Sequence, residues 1–139
     1  MPTQRLHMTL VFLGPVEAGR IAEVERAAGE VAPRAVSLVL DRPGYWKHNR
    51  IVWAGASAPP PELEGLVLEL RAALARSRIG FDPKPFAAHV TLLRDARQPR
   101  AMPELEPIAW KAEGFALLRS QLPPAGGGYE MLNAWKPAA

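Results

Sequence analysis

Two histidines of this chain occur in the same short pattern, His-x-Thr-Leu, in distant parts of the sequence. One copy occupies residues 7–10 and contains His7 and Thr9, and the other occupies residues 89–92 and contains His89 and Thr91. With three histidines and three threonines in the whole chain, two His-x-Thr pairs would arise by chance roughly once in 500 sequences. The repeat therefore indicates a shared chemical role for the two histidines.

Both copies lie among apolar residues in segments that are predicted to be strands. Side chains alternate between the two faces of a strand, so His7 and Thr9 share one face, as do His89 and Thr91. An imidazole titrates near neutral pH, and two of them can therefore divide the roles of general base and general acid. In-line cleavage of a phosphodiester needs one group that activates water and another that protonates the leaving oxygen. The threonine hydroxyls would bind the non-bridging phosphoryl oxygens.

The histidines have two other interpretations. A single motif of this kind is more often an ordinary strand histidine with a satisfied hydrogen bond, but the repeat makes that alternative weak. A metal site would need a third good ligand, whereas His48 is the one other histidine, aspartate is scarce at three residues, and the HExxH pattern is missing. We therefore expect no metal and no cofactor.

The elements that must position the motifs are short, because 15 prolines and 11 glycines divide the chain. Helical spacing of apolar residues predicts helices over 15–32 and from residue 62 to Gly80, which stops the helix. Apolar and β-branched runs predict strands over 6–13, 36–40, 51–54, 86–93, 112–120 and 129–135. The second and third of these strands are predicted to pair across a long connection, and residues 123–128 to form a mobile loop. This order predicts an α+β fold with helices outside antiparallel sheets.

Composition excludes several classes of protein. A length of 139 residues fits one domain, and 48% hydrophobic with 22% charged residues is ordinary globular usage. The lack of cysteine excludes disulfides, thiolate catalysis and cysteine zinc sites. No apolar run approaches the roughly 20 residues of a membrane span, and no secretory leader is visible, so we expect a cytoplasmic protein without membrane contact. A net charge of +3 is compatible with a phosphate-bearing partner.

The paired motifs and their flanks resemble the 2H phosphoesterase superfamily, and within it the LigT-type RNA 2′,3′-cyclic phosphodiesterases, also called 2′-5′ RNA ligases. Residues 6–14 are similar to the first motif of that family and residues 85–94 to the second. Residues 50–53 and 129–132 resemble two of its strands, so the resemblance covers nearly the whole chain. It implies a single domain over residues 1–139, with two pseudo-symmetric lobes whose antiparallel sheets flank a central groove.

The resemblance also implies roles for the motif residues. His7 and His89 would be the catalytic pair, and the substrate phosphate would be bound by Thr9, Thr91 and Arg94. In hydrolysis of a 2′,3′-cyclic phosphate to a 2′-phosphate, His89 is expected to be the base toward water and His7 the acid toward the 3′ oxygen. Ligation that forms a 2′-5′ bond is the reverse chemistry, with the roles exchanged. Arg94 follows His89 by five residues, so we expect it to reach the phosphate only where the strand ends or bulges.

The beginning of the chain departs from the family pattern. Family members usually have a strand and a helix before the first motif, whereas His7 lies almost at the first residue here. The resemblance therefore implies a short N-terminus, an open sheet edge and intact catalytic residues that bind substrate less tightly.

Aromatic and cationic residues are combined in a predicted loop at residues 45–50. Trp46 would stack on a base while Lys47 and Arg50 attract RNA phosphates. Alternatively, Trp46 covers a lobe and the two cations are only solvated. Two other tryptophans, Trp110 and Trp135, are expected to be core or lobe-contact residues and not platforms for a ligand.

Three functional hypotheses follow. The leading one is a metal-independent RNA 2′,3′-cyclic phosphodiesterase that acts on RNA or oligonucleotide ends, with 2′-5′ ligation as a further activity and a nucleotide as an additional partner. The second is a nucleotide- or RNA-binding module of the same fold with impaired catalysis. The third is a 2H hydrolase of another small cyclic phosphate. Binding that is unaffected by His7→Ala, without hydrolysis, would favour the second, and turnover of mononucleotides alone would favour the third.

Overall fold

The computed structural model describes residues 6–102, 104–120 and 128–138, in which one helix precedes a group of three strands and a second helix precedes a group of four. A 3-10 turn at Ala18–Arg20 leads into helix α1 (Ile21–Gly29), and helix α2 spans Pro61–Arg76. The strands of the described residues are β1 (Ala35–Leu40), β2 (Arg42–Trp46), β3 (Ile51–Gly55), β4 (His89–Leu93), β5 (Ile108–Glu113), β6 (Phe115–Ser120) and β7 (Tyr129–Trp135). The architecture is therefore α+β, as the element order predicts.

The strands form three sheets in the described part of the chain, and every pairing is antiparallel. β1 pairs with β5, β6 pairs with β7, and β3 lies between β2 and β4. The predicted pairing of residues 36–40 with 51–54 is wrong. Residues 42–46, which were predicted as a connection, form β2, and a turn over residues 47–50 returns them directly into β3. β2 therefore occupies the edge of β3 that β1 would have needed.

The predicted strand over residues 112–120 is divided into two strands by Gly114. This residue has a φ of +90°, and a side chain there would collide with the backbone oxygen of Trp135. Such a backbone conformation suits glycine. The sharp change of direction lets β5 belong to one sheet and β6 to another. Residues 123–127 of the predicted loop lie outside the described residues.

Helix α2 ends before Gly80, in a turn of the Schellman type. The backbone N–H of Ile79 donates to the oxygen of Leu74 at 2.9 Å. Arg78 takes the left-handed position with a φ of 58°, where glycine is more common. Ile79 and Leu74 are both buried in the same cluster. Their contact supports the turn, so the predicted stop at Gly80 is two residues late.

Two further element boundaries differ from the predictions. The helix predicted over 15–32 is shorter in the structure, where α1 spans Ile21–Gly29. Val16 and Val31 pack against the core from outside the helix, so their apolar character does not mark helical positions. The segment 6–13 is not assigned as a strand, although its backbone is held at Phe12, whose oxygen accepts from the N–H of Asp82 at 2.8 Å. An apolar pattern indicates that a segment is buried, but a strand also needs a neighbouring strand with which to form ladder hydrogen bonds. The pattern of residues 6–13 therefore predicts their packing and not a strand.

Two apolar clusters form the core. The helix cluster joins α1 to α2 and consists of Val24, Ala27, Ala28, Val31, Leu66, Leu70, Ala73, Leu74 and Ile79. The sheet cluster consists of Val36, Leu38, Leu40, Ala54, Leu63 and Val90. Trp135 packs against the helix cluster and Trp110 against the sheet cluster. Both are only partly buried, which agrees with the prediction that they are core or lobe-contact residues.

Candidate active site

The two His-x-Thr motifs meet at one apolar cluster. Val90 belongs to the sheet cluster, and Met8, Leu10 and Leu92 pack against it. These four residues alternate with the histidines and threonines of the two motifs. The apolar faces of both motifs therefore pack on one support, the sheet cluster. Leu10 also packs against the helix cluster. The first motif therefore lies where the two clusters adjoin, beside the strand that carries the second motif.

The face opposite this support carries the polar residues of the motifs. In β4, Val90 is 7% exposed, whereas His89 and Thr91 on either side of it are partly exposed. In the first motif His7 is partly exposed and Thr9 is exposed. The predicted alternation thus holds in both copies, including the first, where no strand is assigned.

A backbone hydrogen bond indicates which nitrogen of His89 carries the proton. Nδ1 lies 2.7 Å from the backbone oxygen of Ala87. A carbonyl oxygen can only accept a hydrogen bond, so Nδ1 carries the proton in this contact. In the neutral imidazole, Nε2 is then the unprotonated nitrogen. This tautomer gives His89 a lone pair for taking a proton from water.

Tryptophan rings surround the imidazole of His89. The ring of Trp46 lies 4.5 Å from it, centroid to centroid, at an interplanar angle of 68°. The ring of Trp53 lies 6.5 Å from the imidazole and 5.2 Å from Trp46. Edge-to-face contacts of this kind favour particular ring orientations. The contacts therefore restrain the plane of the His89 ring.

Two glycines make room for the Trp53 ring on the sheet. Gly44 lies opposite Trp53 in β2, and a Cβ atom at Gly44 would lie 2.6 Å from Cη2 of the indole and closer to two other ring atoms. A Cβ atom at Gly55, which lies opposite His89, would be 2.8 Å from Cζ3. The indole therefore lies across the sheet surface over both glycines, and it forms a floor next to His89.

His7 has an aromatic neighbour from a different sheet. The phenol ring of Tyr129, the first residue of β7, lies 4.5 Å from the imidazole of His7 at an angle of 69°. Sequence reasoning recognised residues 129–132 as a strand but did not include Tyr129 in the site. Its position after a glycine-rich stretch, at the start of a strand, was the available signal. Each motif histidine thus has an edge-to-face aromatic contact.

A bulge alters the position of Arg94 relative to the regular strand. Trp53 lies opposite Thr91 and Val52 lies opposite Leu93, so β4 has one additional residue between these pairs. An extra residue reverses the alternation of side chains. Position 94, directly after the end of β4, therefore falls on the same face as Thr91. This is the arrangement under which the sequence predicts that Arg94 reaches the phosphate.

The residues of the predicted aromatic and cationic loop are divided between a strand and a turn. Trp46 ends β2, whereas Lys47 and Arg50 lie exposed in the turn that follows. Arg50 also contacts the segment after β4, since its Nη2 donates to the backbone oxygen of Asp95 at 3.3 Å. The structure thus brings Trp46 to His89 and connects Arg50 to the neighbourhood of Arg94.

Two negative findings concern the residues that the structure describes. No group of three or more histidine, cysteine, aspartate or glutamate side chains with the arrangement of a metal site occurs there. Within the same residues, no helix is both long and apolar enough to cross a membrane.

Comparison with known proteins identifies the family. The family model of the 2′-5′ RNA ligase superfamily matches residues 1–123. The chain belongs to this superfamily. It is 37% identical over 146 aligned positions to an RNA 2′,3′-cyclic phosphodiesterase of Thermus thermophilus, a match that covers 96% of the chain and 72% of the relative. The resemblance found in the sequence is thereby confirmed.

A shorter match and a solved structure agree with this assignment. An RNA 2′,3′-cyclic phosphodiesterase of Escherichia coli is 40% identical over 98 residues, which are 70% of the chain and 56% of the relative. The crystal structure of E. coli LigT complexed with 3′-AMP superimposes with a TM-score of 0.85 at 31% identity, covering all of this chain and 85% of that one. The predicted fold class, an α+β fold of the LigT type, is confirmed by this match.

Proposed function

We propose that this protein is an RNA 2′,3′-cyclic phosphodiesterase, which opens the cyclic phosphate at the 3′ end of an RNA and leaves a 2′-phosphate. The observation that carries the proposal is the imidazole of His89, whose Nδ1 contacts the Ala87 oxygen and whose Nε2 is available as a base. Thr91 lies on the same face, and a second His-x-Thr motif shares its apolar support. The activity named for the curated relatives agrees with this chemistry.

The reaction divides the work between the two histidines. Nε2 of His89 takes a proton from water as the water oxygen attacks phosphorus and forms the new P–O bond. The bond between phosphorus and the 3′ oxygen breaks, and protonated His7 donates its proton to that oxygen. The products are a 2′-phosphate and a 3′-hydroxyl, and the two histidines exchange protonation states. A 5′-hydroxyl in place of water would instead form a 2′-5′ bond with His89 and His7 in the same roles. The exchange of roles expected from the resemblance therefore belongs to the opposite reaction, in which the 2′-5′ bond is broken.

Three further residues would bind the phosphate. The hydroxyls of Thr9 and Thr91 donate to the non-bridging oxygens, on which negative charge increases during the attack. Arg94, on the same face as Thr91 by register, supplies a permanent positive charge and paired N–H donors. The site needs no metal in this scheme, which makes activity in EDTA a direct test.

The remaining expectations concern the domain organisation of the chain, its ligands and its location. We propose that residues 1–139 act as one domain of two lobes, with the groove between the faces of the two motifs. Support comes from Met8 and Val90, which bring the motifs to one cluster. RNA ends are the proposed substrate and nucleotides additional ligands, since E. coli LigT has been crystallised with 3′-AMP. A cytoplasmic location is proposed because RNA substrates are found there.

The test is hydrolysis of an RNA oligonucleotide that ends in a 2′,3′-cyclic phosphate, in EDTA, with separation of 2′- from 3′-phosphate products. We expect the 2′-phosphate. His7→Ala and His89→Ala should each lower turnover by roughly 100-fold or more, because general acid or base catalysis supplies about 10²–10⁴. Circular dichroism and thermal unfolding confirm that each variant is folded.

His48→Ala is the matched control, because His48 is the third histidine, lies outside both motifs and is exposed in the turn after β2, with its ring 6.2 Å from that of Trp46. It should retain turnover close to that of the unaltered protein. Full activity in both motif variants would exclude the two-histidine mechanism. Binding of the oligonucleotide without any hydrolysis would favour the binding module, and turnover restricted to cyclic mononucleotides would favour a different small substrate.

A further inference from the structure

We propose that a cationic surface beside the active site binds the phosphate backbone of the substrate RNA upstream of its cyclic end, and that it makes the enzyme prefer RNA ends to cyclic mononucleotides. This basic platform consists of Lys47, Arg50 and Arg97. The inference rests on the proposed function and specifies its substrate class.

Hydrogen bonds join the two segments that carry the platform. The backbone N–H of Ala96 donates to the oxygen of Arg50 at 3.0 Å, and Nη2 of Arg50 donates to the oxygen of Asp95 at 3.3 Å. The Tyr45 hydroxyl donates to the oxygen of Ala96 at 2.9 Å. The turn after β2 and the segment after β4 therefore form one surface, although more than 40 residues separate them in the sequence.

The charge of this surface is strongly one-sided. Residues 47–50 and 94–97 together contain four lysines or arginines and a single acidic residue, Asp95. Lys47, Arg50 and Arg97 are exposed, and the ion pairs found among the described residues involve other arginines. Arg50 uses one N–H in its contact with Asp95, so most of its five donors remain available. Exposed cations without an acidic partner attract a polyanion such as RNA.

The platform is continuous with the catalytic site. Lys47 follows Trp46, whose ring contacts His89. On the other side, Arg97 lies three residues after Arg94, the proposed ligand of the reacting phosphate. From His89 to the end of β4, strand geometry gives a path of about 13 Å, which is longer than a single nucleotide. The basic platform therefore adjoins the active site and extends away from the reacting phosphate.

The chemistry of the substrate determines what meets this surface. A 2′,3′-cyclic phosphate occupies the 3′ end of the chain, so every other phosphate of the RNA lies on its 5′ side. A cyclic mononucleotide has no such phosphates. The platform therefore contributes to binding only when the cyclic phosphate ends a longer RNA.

The experiment compares kcat/KM for an RNA oligonucleotide that ends in a 2′,3′-cyclic phosphate with kcat/KM for 2′,3′-cyclic AMP. Lys47→Gln and Arg97→Gln should each lower the ratio of the two constants by about 3- to 5-fold, as expected for exposed charge pairs. Three phosphate contacts predict a logarithmic salt dependence with a slope of about −2 for RNA, and each substitution should reduce it by about 0.7. Tyr45→Phe, which removes one of the joining hydrogen bonds, should lower the same ratio.

Lys111→Gln is the matched control, because Lys111 is exposed on β5, in a different sheet. It should leave the ratio and the salt slope unaltered. Equal losses for RNA and cyclic AMP in the platform variants, or an unaltered ratio, would overturn the proposal. Binding of a fluorescent oligonucleotide with a 3′-phosphate to the His89→Ala variant tests the platform without turnover. Unaltered affinity after Lys47→Gln would refute the platform alone, whereas failure of hydrolysis with normal, salt-sensitive binding would refute only the proposed function.

Discussion

The indole of Trp53 and the sheet beneath it provide a sharp test of how the site is built. Glycine is unfavourable in a strand by about 0.5–1 kcal/mol relative to alanine, so Gly44→Ala would stabilise β2 if space allowed. A Cβ atom at this position would lie 2.6 Å from Cη2 of Trp53, whereas ordinary contact begins at 3.4 Å. Cζ2 and Cε2 of the indole would lie closer still, so the indole must move by more than about 1 Å. We expect the opposite sign, a loss of about 1–3 kcal/mol in the free energy of unfolding.

Movement of the indole should also affect catalysis. Trp53 contacts Trp46, and both rings lie next to the imidazole of His89. A misplacement of about 1 Å can lower a rate by about 100-fold, so kcat/KM should fall by about 10- to 100-fold under conditions in which the variant is folded. Chemical denaturation gives the stability, and hydrolysis of 2′,3′-cyclic AMP gives the activity.

Two companion variants test whether the collision with the Trp53 ring causes the loss of stability. Gly65→Ala is the control, because Gly65 lies in α2 and a Cβ atom there would meet no heavy atom within 4 Å apart from its chain neighbours and the backbone of its own helix. It should gain about 0.5–1 kcal/mol. In a Trp53→Phe background, which lacks the outer ring of the indole, Gly44→Ala should cost much less than it does alone. Gly44→Ala with undiminished stability and activity, or with the same cost in both backgrounds, would refute the proposed packing.

Two further predictions concern stability. Gly114→Ala should lower the free energy of unfolding by at least about 2 kcal/mol, because it combines a φ of +90° with a collision at the Trp135 oxygen; an unaltered denaturation midpoint would contradict this. Hydrogen bonds from the Ser57 hydroxyl and backbone N–H lower the pKa of the Asp41 carboxyl, so Ser57→Ala should raise that pKa in an NMR titration. A carboxyl whose pKa is lower in the folded than in the unfolded protein contributes stability at pH values above the unfolded pKa. This contribution is lost as the pH falls through the folded pKa. The unaltered protein should therefore lose more stability in acid than the Ser57→Ala variant. Equal titration of Asp41 in both proteins would exclude this explanation.

Local patterns allowed several parts of the structure to be predicted. The alternation of polar and apolar residues in both motifs is a property of an extended chain, so the faces of His7 and His89 follow from neighbouring residues. The apolar spacing likewise predicts α2 to within a few residues, although the helix begins at Pro61 and not after it. The α+β class and the superfamily were predictable for the same reason, since each depends on short segments and their order.

Strand pairing was less predictable, because partners are chosen between distant segments. β1 pairs with β5 and not with β3, and this depends on the formation of β2 by residues that resemble a loop in sequence. Gly114 divides one apolar run between two sheets, and its φ follows from the approach of the Trp135 backbone. Ladder hydrogen bonds and close backbone contacts carry no signature in a single segment.

The chemistry of the site was therefore determined by the sequence, and its geometry by the tertiary structure. The residue types in the repeated motif specify two imidazoles and two hydroxyls wherever the chain places them. The contact of Tyr129 with His7 and the hydrogen bond between Arg50 and Asp95 join residues that are remote in sequence. The Trp53 ring lies over Gly44 because β2 and β3 pair. Such contacts depend on how separate elements pack, and packing is decided only when the whole chain is folded.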